Sequence, residues 1–155
     1  MSKAIELRRS DLCEIVDAVV STMLHSSAVP MPEGTSAATL GADVWCGHVK
    51  ISGAFTGVIV LTCTKQFALH AARSIFGESA PKDEDALDAL AELTNVTGGN
   101  VKCLMSNIVS STCQLSLPQV TSGNYQAPGT RKLRELWATC EGHKLGISVL
   151  AAGAA

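Results

Sequence analysis

Two hydrophobic periods alternate along the chain. From Ser10 to about His25 the apolar residues Leu12, Ile15, Val16, Val19, Met23 and Leu24 recur at helical spacing and predict an amphipathic helix. Ser10 is its expected N-cap, with Asp11 in the first turn. The segment SSAVPMPEGTS that follows carries two prolines and a glycine, which cannot continue a helix, and predicts a loop. From about Thr39 the period changes. VWCGHVKIS and FTGVIVLTC are β-rich runs that turn around Ser52-Gly53-Ala54, with Gly57 expected to mark a bulge. TKQFALHAARSIFG predicts a short helix capped by Thr64 and stopped by Gly77.

A long helix is predicted next, to about Ser110. Pro81 suits its first turn, and Asp83, Glu84 and Asp85 favour the positive end of its dipole. CQLSLPQVTSGNYQ reads as a strand that Pro118 confines to an edge or a bulge. LRELWATCEG and HKLGISVLA predict a second hairpin turning at Glu141-Gly142, and the tail AAGAA is expected to fray. Helices do not alternate singly with strands. The expected class is therefore α+β, an antiparallel β-sheet with two long helices packed on it, in one domain over residues 1–155 with a core from about 10 to 150. At an offset of 78, Ser10, Glu14, Asp17 and Ser21 superimpose on Asp88, Glu92, Asn95 and Gly99, which suggests a pseudo-repeated helix-plus-strands layout.

Composition narrows the function. Hydrophobic residues make up 46% and charged residues 17%, a globular balance. The net charge of −2 provides no footprint for nucleic acid, and the basic clusters Lys3/Arg8/Arg9 and Arg131/Lys132/Arg134 read as solvated faces. No apolar run is long enough to span a bilayer, and MSKAIELRRSD lacks the features of a signal peptide, so the expected location is cytoplasmic. The six cysteines, Cys13, Cys46, Cys63, Cys103, Cys113 and Cys140, fit no zinc spacing and are expected to be buried free thiols. His25, His48, His70 and His143 are scattered, and each is expected to be a surface or satisfied core residue.

The long helix carries the candidate chemistry. At about 100° per residue, Leu87, Leu90, Leu93, Val101, Leu104, Met105 and Ile108 share the expected core side. Asp88, Glu92, Asn95 and Gly99 form a narrow stripe opposite, with Lys102 near its end. On periodicity alone such a stripe is a solvated face. Two details favour a docking surface. Asn competes with the helix backbone and suits an interior position poorly. Gly99 adds nothing a solvated face needs, yet leaves room for another surface. Gly98 lies toward the edge of the core side, and the sequence does not fix its role. No Ser/His/Asp arrangement or phosphate loop is readable, so an acid and an amide would need a partner to complete a site.

The pattern Asp88, three residues, Glu92, two residues, Asn95, twenty-two residues, Pro118 resembles the signature of the CheC/CheX/FliY phosphatases of bacterial chemotaxis. ELTNVTGGNVK and SGAFTGVIVLTCTKQFALHAARSIFG are similar to the CheX members in particular. That resemblance implies a phosphatase acting on the aspartyl phosphate of a CheY-like response regulator. Asn95 would orient the attacking water, Glu92 would contact the regulator's active-site lysine, and Asp88, Gly99 and Pro118 would support them. The chain would need no cofactor of its own, with Mg²⁺ in the partner regulator. Glu14 and Asp17 would be a degenerate second site, since Asp17 stands where Asn would be and Leu40 where proline would be. A homodimer pairing through sheet edges is implied as well. The alternative within the same fold is a non-catalytic receiver-binding or flagellar-switch-like adaptor.

Overall fold

The structure, a computed structural model, describes residues 5–41 and 43–153. The elements run α1 (Arg9–Leu24), β1 (Val29–Pro30), a 3-10 turn (Ala37–Leu40), β2 (Val44–Gly53), β3 (Gly57–Thr64), α2 (Lys65–Phe76), α3 (Asp83–Ile108), β4 (Cys113–Leu115), β5 (Gln119–Thr121), β6 (Thr130–Cys140) and β7 (His143–Ala152). All strand pairs are antiparallel, in the order β1-β6-β7-β3-β2-β4, with β5 also on β2.

This order realises the internal repeat. Strands β1, β2, β3 and β4–β5, β6, β7 form two interlocked copies. β3 and β7 pair at the centre, β1 of the first copy closes on β6 of the second, and β4, continued by β5, closes on β2. α1 crosses β6 and α3 crosses β2, while α2 packs between them against α3. The core lies between helices and sheet. It joins Leu12, Val16 and Val20 of α1, Phe67 and Ala71 of α2, and Leu90, Leu93 and Met105 of α3 to Val49, Ile59, Leu61, Ile147 and Leu136 of the sheet. Burial of these side chains is the main stabilising term. A smaller cluster of Cys46, Val58 and Val60 lies beneath Tyr125 and Ala127.

Local chemistry explains most boundaries. Thr64 Oγ1 accepts from the Phe67 N–H at 3.1 Å, and Gly77 closes α2 in the left-handed region with its N–H on Arg73 O. The β6–β7 turn uses positive φ at Glu141 and Gly142, as a two-residue hairpin connection requires.

Several expectations are corrected. The α1 N-cap is Arg8, not Ser10. The Asp11 carboxylate accepts the Arg8 N–H at 3.0 Å, and this reciprocal bond fixes the start of the helix. Gly57 is no bulge. It pairs in register with Ile51 and Ala151, where an added Cβ would overlap the Leu150 carbonyl. The stretch read as a loop after α1 contains β1, whose short pairing with β6 leaves little sequence signal. Of the tail, Ala151 and Ala152 belong to β7, while Ala154 and Ala155 lie outside the described residues, as does Lys3 of the first basic cluster. Of the other basic residues, Arg9 donates to Met31 O, Arg134 Nε donates to Leu7 O at 3.0 Å, and Lys132 pairs with Glu135 at 2.9 Å. All six cysteines are free, but Cys103 is exposed and Cys13 half-buried.

Candidate functional site

α3 owes its position to two close approaches to β2. An added Cβ at Gly47 would overlap Thr94 Oγ1, and one at Gly98 would lie 2.6 Å from Val49 Cγ2 and 3.4 Å from a Leu115 methyl. The helix therefore lies on the sheet with almost no spacer. Thr94 is buried, and its hydroxyl donates back to Leu90 O at 2.7 Å, which satisfies it without a sheet partner. The buried face comprises Ala86, Ala89, Leu90, Leu93, Thr94, Thr97, Gly98, Val101 and Met105. The expected core side is thus corrected: Leu87, Leu104 and Ile108 are only half-buried, and small residues take the places nearest the sheet. Gly98 serves this packing, a role the periodicity left open.

On the other side of α3, Asp88, Glu92 and Asn95 are exposed and Gly99 is half-buried. A Cβ at Gly99 would meet nothing within 4 Å. Asn100 folds back on its own helix, Nδ2 donating to Val96 O at 3.0 Å. Asn95 makes no such bond among the described residues, so its carboxamide stays available. The stripe ends at Lys102, where α3 opens into a polar groove of about 760 Å³ lined also by Cys103, Ser106 and Asn107.

Pro118 joins the stripe through the sheet edge. Ile51 pairs with Leu115 and His48 with Gln119, so Ser116, Leu117 and Pro118 face only Lys50 and Val49. That is one residue too many, a bulge, and it divides the edge strand into β4 and β5. Proline can donate no ladder bond, and the bulge places it where none is needed. Gly98 lies over Val49, the residue Pro118 flanks. Asn95 follows about 60° further round the helix and Gly99 about 100°. The stripe thus lies on the flank of α3 next to its contacts with β4 and β5, the edge that carries Pro118. Asp88 lies one turn before Glu92. Glu14 and Asp17 are exposed on α1, over the opposite copy of the repeat. The edge strand β1 carries a proline, Pro30, but it pairs with Ala138, the place that Leu115 takes on Ile51 in the other copy, and so is not the equivalent of Pro118.

His48 departs from expectation. It is buried on the sheet face away from α3, stacked on Tyr125 at 3.8 Å, and its Nδ1 has no partner among the described groups. Burial, then Lys50, push its pKa below the usual histidine value. His70 Nε2 lies 2.6 Å from Glu141 Oε2, with His143 beside it. These groups belong to the sheet's other face and to the α2–hairpin junction, not to the stripe. Among the described residues no cluster of three or more His, Cys, Asp or Glu could hold a metal, and no helix is long and apolar enough to cross a membrane. A cavity of about 480 Å³ between Met31–Ser36 and β6 lies at the opposite sheet edge.

The family model described as chemotaxis phosphatase CheX matches residues 45–135, more than half of the chain. The match includes Asp88, Glu92, Asn95, Gly99 and Pro118 and leaves out Glu14 and Asp17. No curated protein matches. The fold is similar to that of chemotaxis protein CheX from Vibrio vulnificus, with TM-score 0.73 and 18% identity, covering 96% of this chain and 98% of that one. CheX from Desulfovibrio desulfuricans gives TM-score 0.71 and 20% identity, covering 90% and 95%. The CheX of a CheX–CheY–BeF₃–Mg²⁺ complex from Borrelia burgdorferi gives TM-score 0.63 and 14% identity, covering 92% and 96%.

Proposed function

The chain belongs to the chemotaxis phosphatase CheX family, and we propose that it hydrolyses the aspartyl phosphate of a CheY-like response regulator, with α3 as the docking element. The observation that carries this reading is the exposed Glu92–Asn95 pair on a stripe bordered by the Pro118 bulge and the open space over Gly99. α3 enters the cleft of the receiver. The Asn95 carboxamide donates to and accepts from one water and holds it in line with the phosphorus. A carboxylate there would repel the phosphate oxygens. Glu92 pairs with the receiver's active-site lysine and sets the register, while Asp88 and Pro118 position the helix and its edge. The Mg²⁺ and the phosphoaspartate belong to the receiver, and hydrolysis requires positioning and charge stabilisation more than covalent help. One site per chain operates, because α1 carries Asp17 where α3 carries Asn95. The protein acts in the cytoplasm as a homodimer. It pairs through a sheet edge.

The test is phosphate loss from phosphorylated receiver domains of the same organism, alone and with the wild-type protein or Asn95→Ala. Wild type accelerates the loss and Asn95→Ala does not. No acceleration by wild type on any receiver sinks the reading. Binding without acceleration favours the adaptor alternative.

A further inference from the structure

Lys102 follows Asn95 by two turns of α3, which at about 100° and 1.5 Å per residue puts it about 20° round the helix and about 10 Å further along it. Ser106, one turn beyond, falls within about 20° of Asn95 on the other side. Both therefore share the face of the Asp88, Glu92, Asn95 and Gly99 stripe. A lysine on a helix is ordinarily a solvated charge. Lys102 is half-buried, and it lines the groove of about 760 Å³ at the C-terminal end of α3. Ser106, Asn107, Ser110, Ser111 and Thr112 line the groove with it, and among the described residues no carboxylate does. Lys65 pairs with Asp83 at 3.1 Å and Lys132 with Glu135 at 2.9 Å, but Lys102 has no ion pair among the described residues. The groove is preformed. Ser106 Oγ accepts the Cys113 N–H at 3.1 Å, and the Ser111 N–H donates to Ser106 O at 3.1 Å, which fixes the start of β4 against the helix end.

The stripe thus carries opposite charges at its two ends. Asp88 and Glu92 are acidic and exposed on its N-terminal part, Lys102 is cationic on its C-terminal part, and Asn95 and Gly99 between them are neutral. We propose that Lys102 and its groove take a carboxylate of the receiver domain, and that this contact, together with that of Glu92, fixes the direction in which α3 lies in the cleft. This rests on the receiver reading above. With Glu92 on the receiver's lysine and Asn95 at the phosphoaspartate, the groove seats an acidic side chain about 10 Å beyond the phosphate, on the side away from that lysine. Lys102 supplies the charge, and the hydroxyls and amide around it supply further donors to a carboxylate. Because the groove is preformed, little conformational freedom is lost on docking. A reversed helix would set Glu92 against that acid and Lys102 against the lysine, two like-charge contacts that reject it. A receiver without an acid at this place leaves the cation unmatched and docks more slowly.

The experiment uses the full chain and a CheY receiver domain loaded with beryllofluoride and Mg²⁺ for binding, or phosphorylated for turnover, at low and at high salt. At low salt Lys102→Glu slows association and raises KM about 10-fold with kcat unchanged, as reversal of a charge at an interface rim does. High salt removes most of that difference, because the pair lies near solvent. Lys102→Gln, which keeps the stem and loses only the charge, shows a smaller loss with the same salt dependence. Lys50→Glu changes neither quantity, since it reverses a charge on β2 whose neighbour Val49, not Lys50, faces α3. Asn95→Ala gives the reverse pattern, with binding kept and kcat lost. If Lys102→Glu and Lys102→Gln bind and turn over like an active wild type, or lose kcat instead of affinity, the groove has no docking role and the receiver reading stands. If the wild type itself neither binds nor dephosphorylates any receiver, both fail.

Discussion

Gly47 on β2 and Thr94 on α3 are in direct contact, with no room for a methyl group between them: a Cβ at residue 47 would overlap Thr94 Oγ1 and lie 3.0 Å from Thr94 Cβ. Thr94 precedes Asn95, so this contact sets the height of the candidate amide above the sheet edge. Thr94 cannot simply rotate away, since its hydroxyl is bonded to Leu90 O. Gly47→Ala should destabilise the protein by about 1–3 kcal/mol, the usual penalty for overpacking. Thr94→Ala in the same chain should recover most of that loss. A urea double-mutant cycle measures the coupling, and independent, additive effects would refute the contact.

The adjacent glycines should respond with opposite signs. Alanine is favoured over glycine in a helix interior by about 1 kcal/mol. At Gly99 an added Cβ meets open space, so Gly99→Ala should raise stability by about that amount. At Gly98 the same Cβ would press on Val49, which is fully buried, and Gly98→Ala should lower stability. Urea midpoints of the two variants decide this. Gly99→Ala should also weaken receiver binding, since it fills the space left for the partner.

These glycines mark what the sequence could disclose. The stripe Asp88, Glu92, Asn95 and Gly99 was legible because helical periodicity fixes which residues share a face. The hairpins were legible because β-rich runs ended in turn residues, and Pro118 announced its edge position by lacking a donor. The sheet-facing side of α3 was misread. Thr94 and Thr97 look solvent-seeking, and only the pairing of Thr94 with Gly47, 47 positions away, makes the contact close. The edge strand β1 escaped notice because two residues carry no alternation. Its place beside β6 comes from the fold's pseudo-symmetry, a long-range property. The bond from the Lys50 N–H to Ser116 Oγ, 2.8 Å long, was invisible for the same reason, since the two residues are far apart in sequence.

Stability should fall on mild acidification. Burial and then Lys50 lower the pKa of His48, and burial and then His70 lower that of His143, with Glu141 opposing. A histidine whose folded pKa is depressed binds its proton more readily in the unfolded chain. Its neutral form thus contributes full stability above the ordinary value of about 6.5, and that contribution is lost as pH falls below it. Glu135 adds a second step at lower pH. Burial raises its pKa, but the bonds from Lys132, Trp137 and Ser148 outweigh that, so it titrates below the usual glutamate range. Urea midpoints should be level from pH 8 to 7 and decline from about 6.5 downward. His48→Gln should flatten part of the decline. A midpoint that rises on acidification would contradict both histidine assignments.

The two copies of the repeat also predict what Asn95→Asp does. The substitution converts the α3 stripe into the α1 pattern, where Glu14 is followed by Asp17. A carboxylate is close in shape to the amide, and position 95 is exposed, so fold and stability should be unchanged. What changes is the charge facing the phosphate. Turnover should fall by about 100-fold or more, the scale seen when one positioned hydrogen-bonding group is removed from an active site. Affinity for the phosphorylated receiver should fall as well, which separates this variant from Asn95→Ala, where only turnover is lost. Raising the salt concentration should partly restore binding by Asn95→Asp, because the repulsion acts between charges near solvent. Equal turnover by Asn95→Asp and wild type would remove the amide from the mechanism.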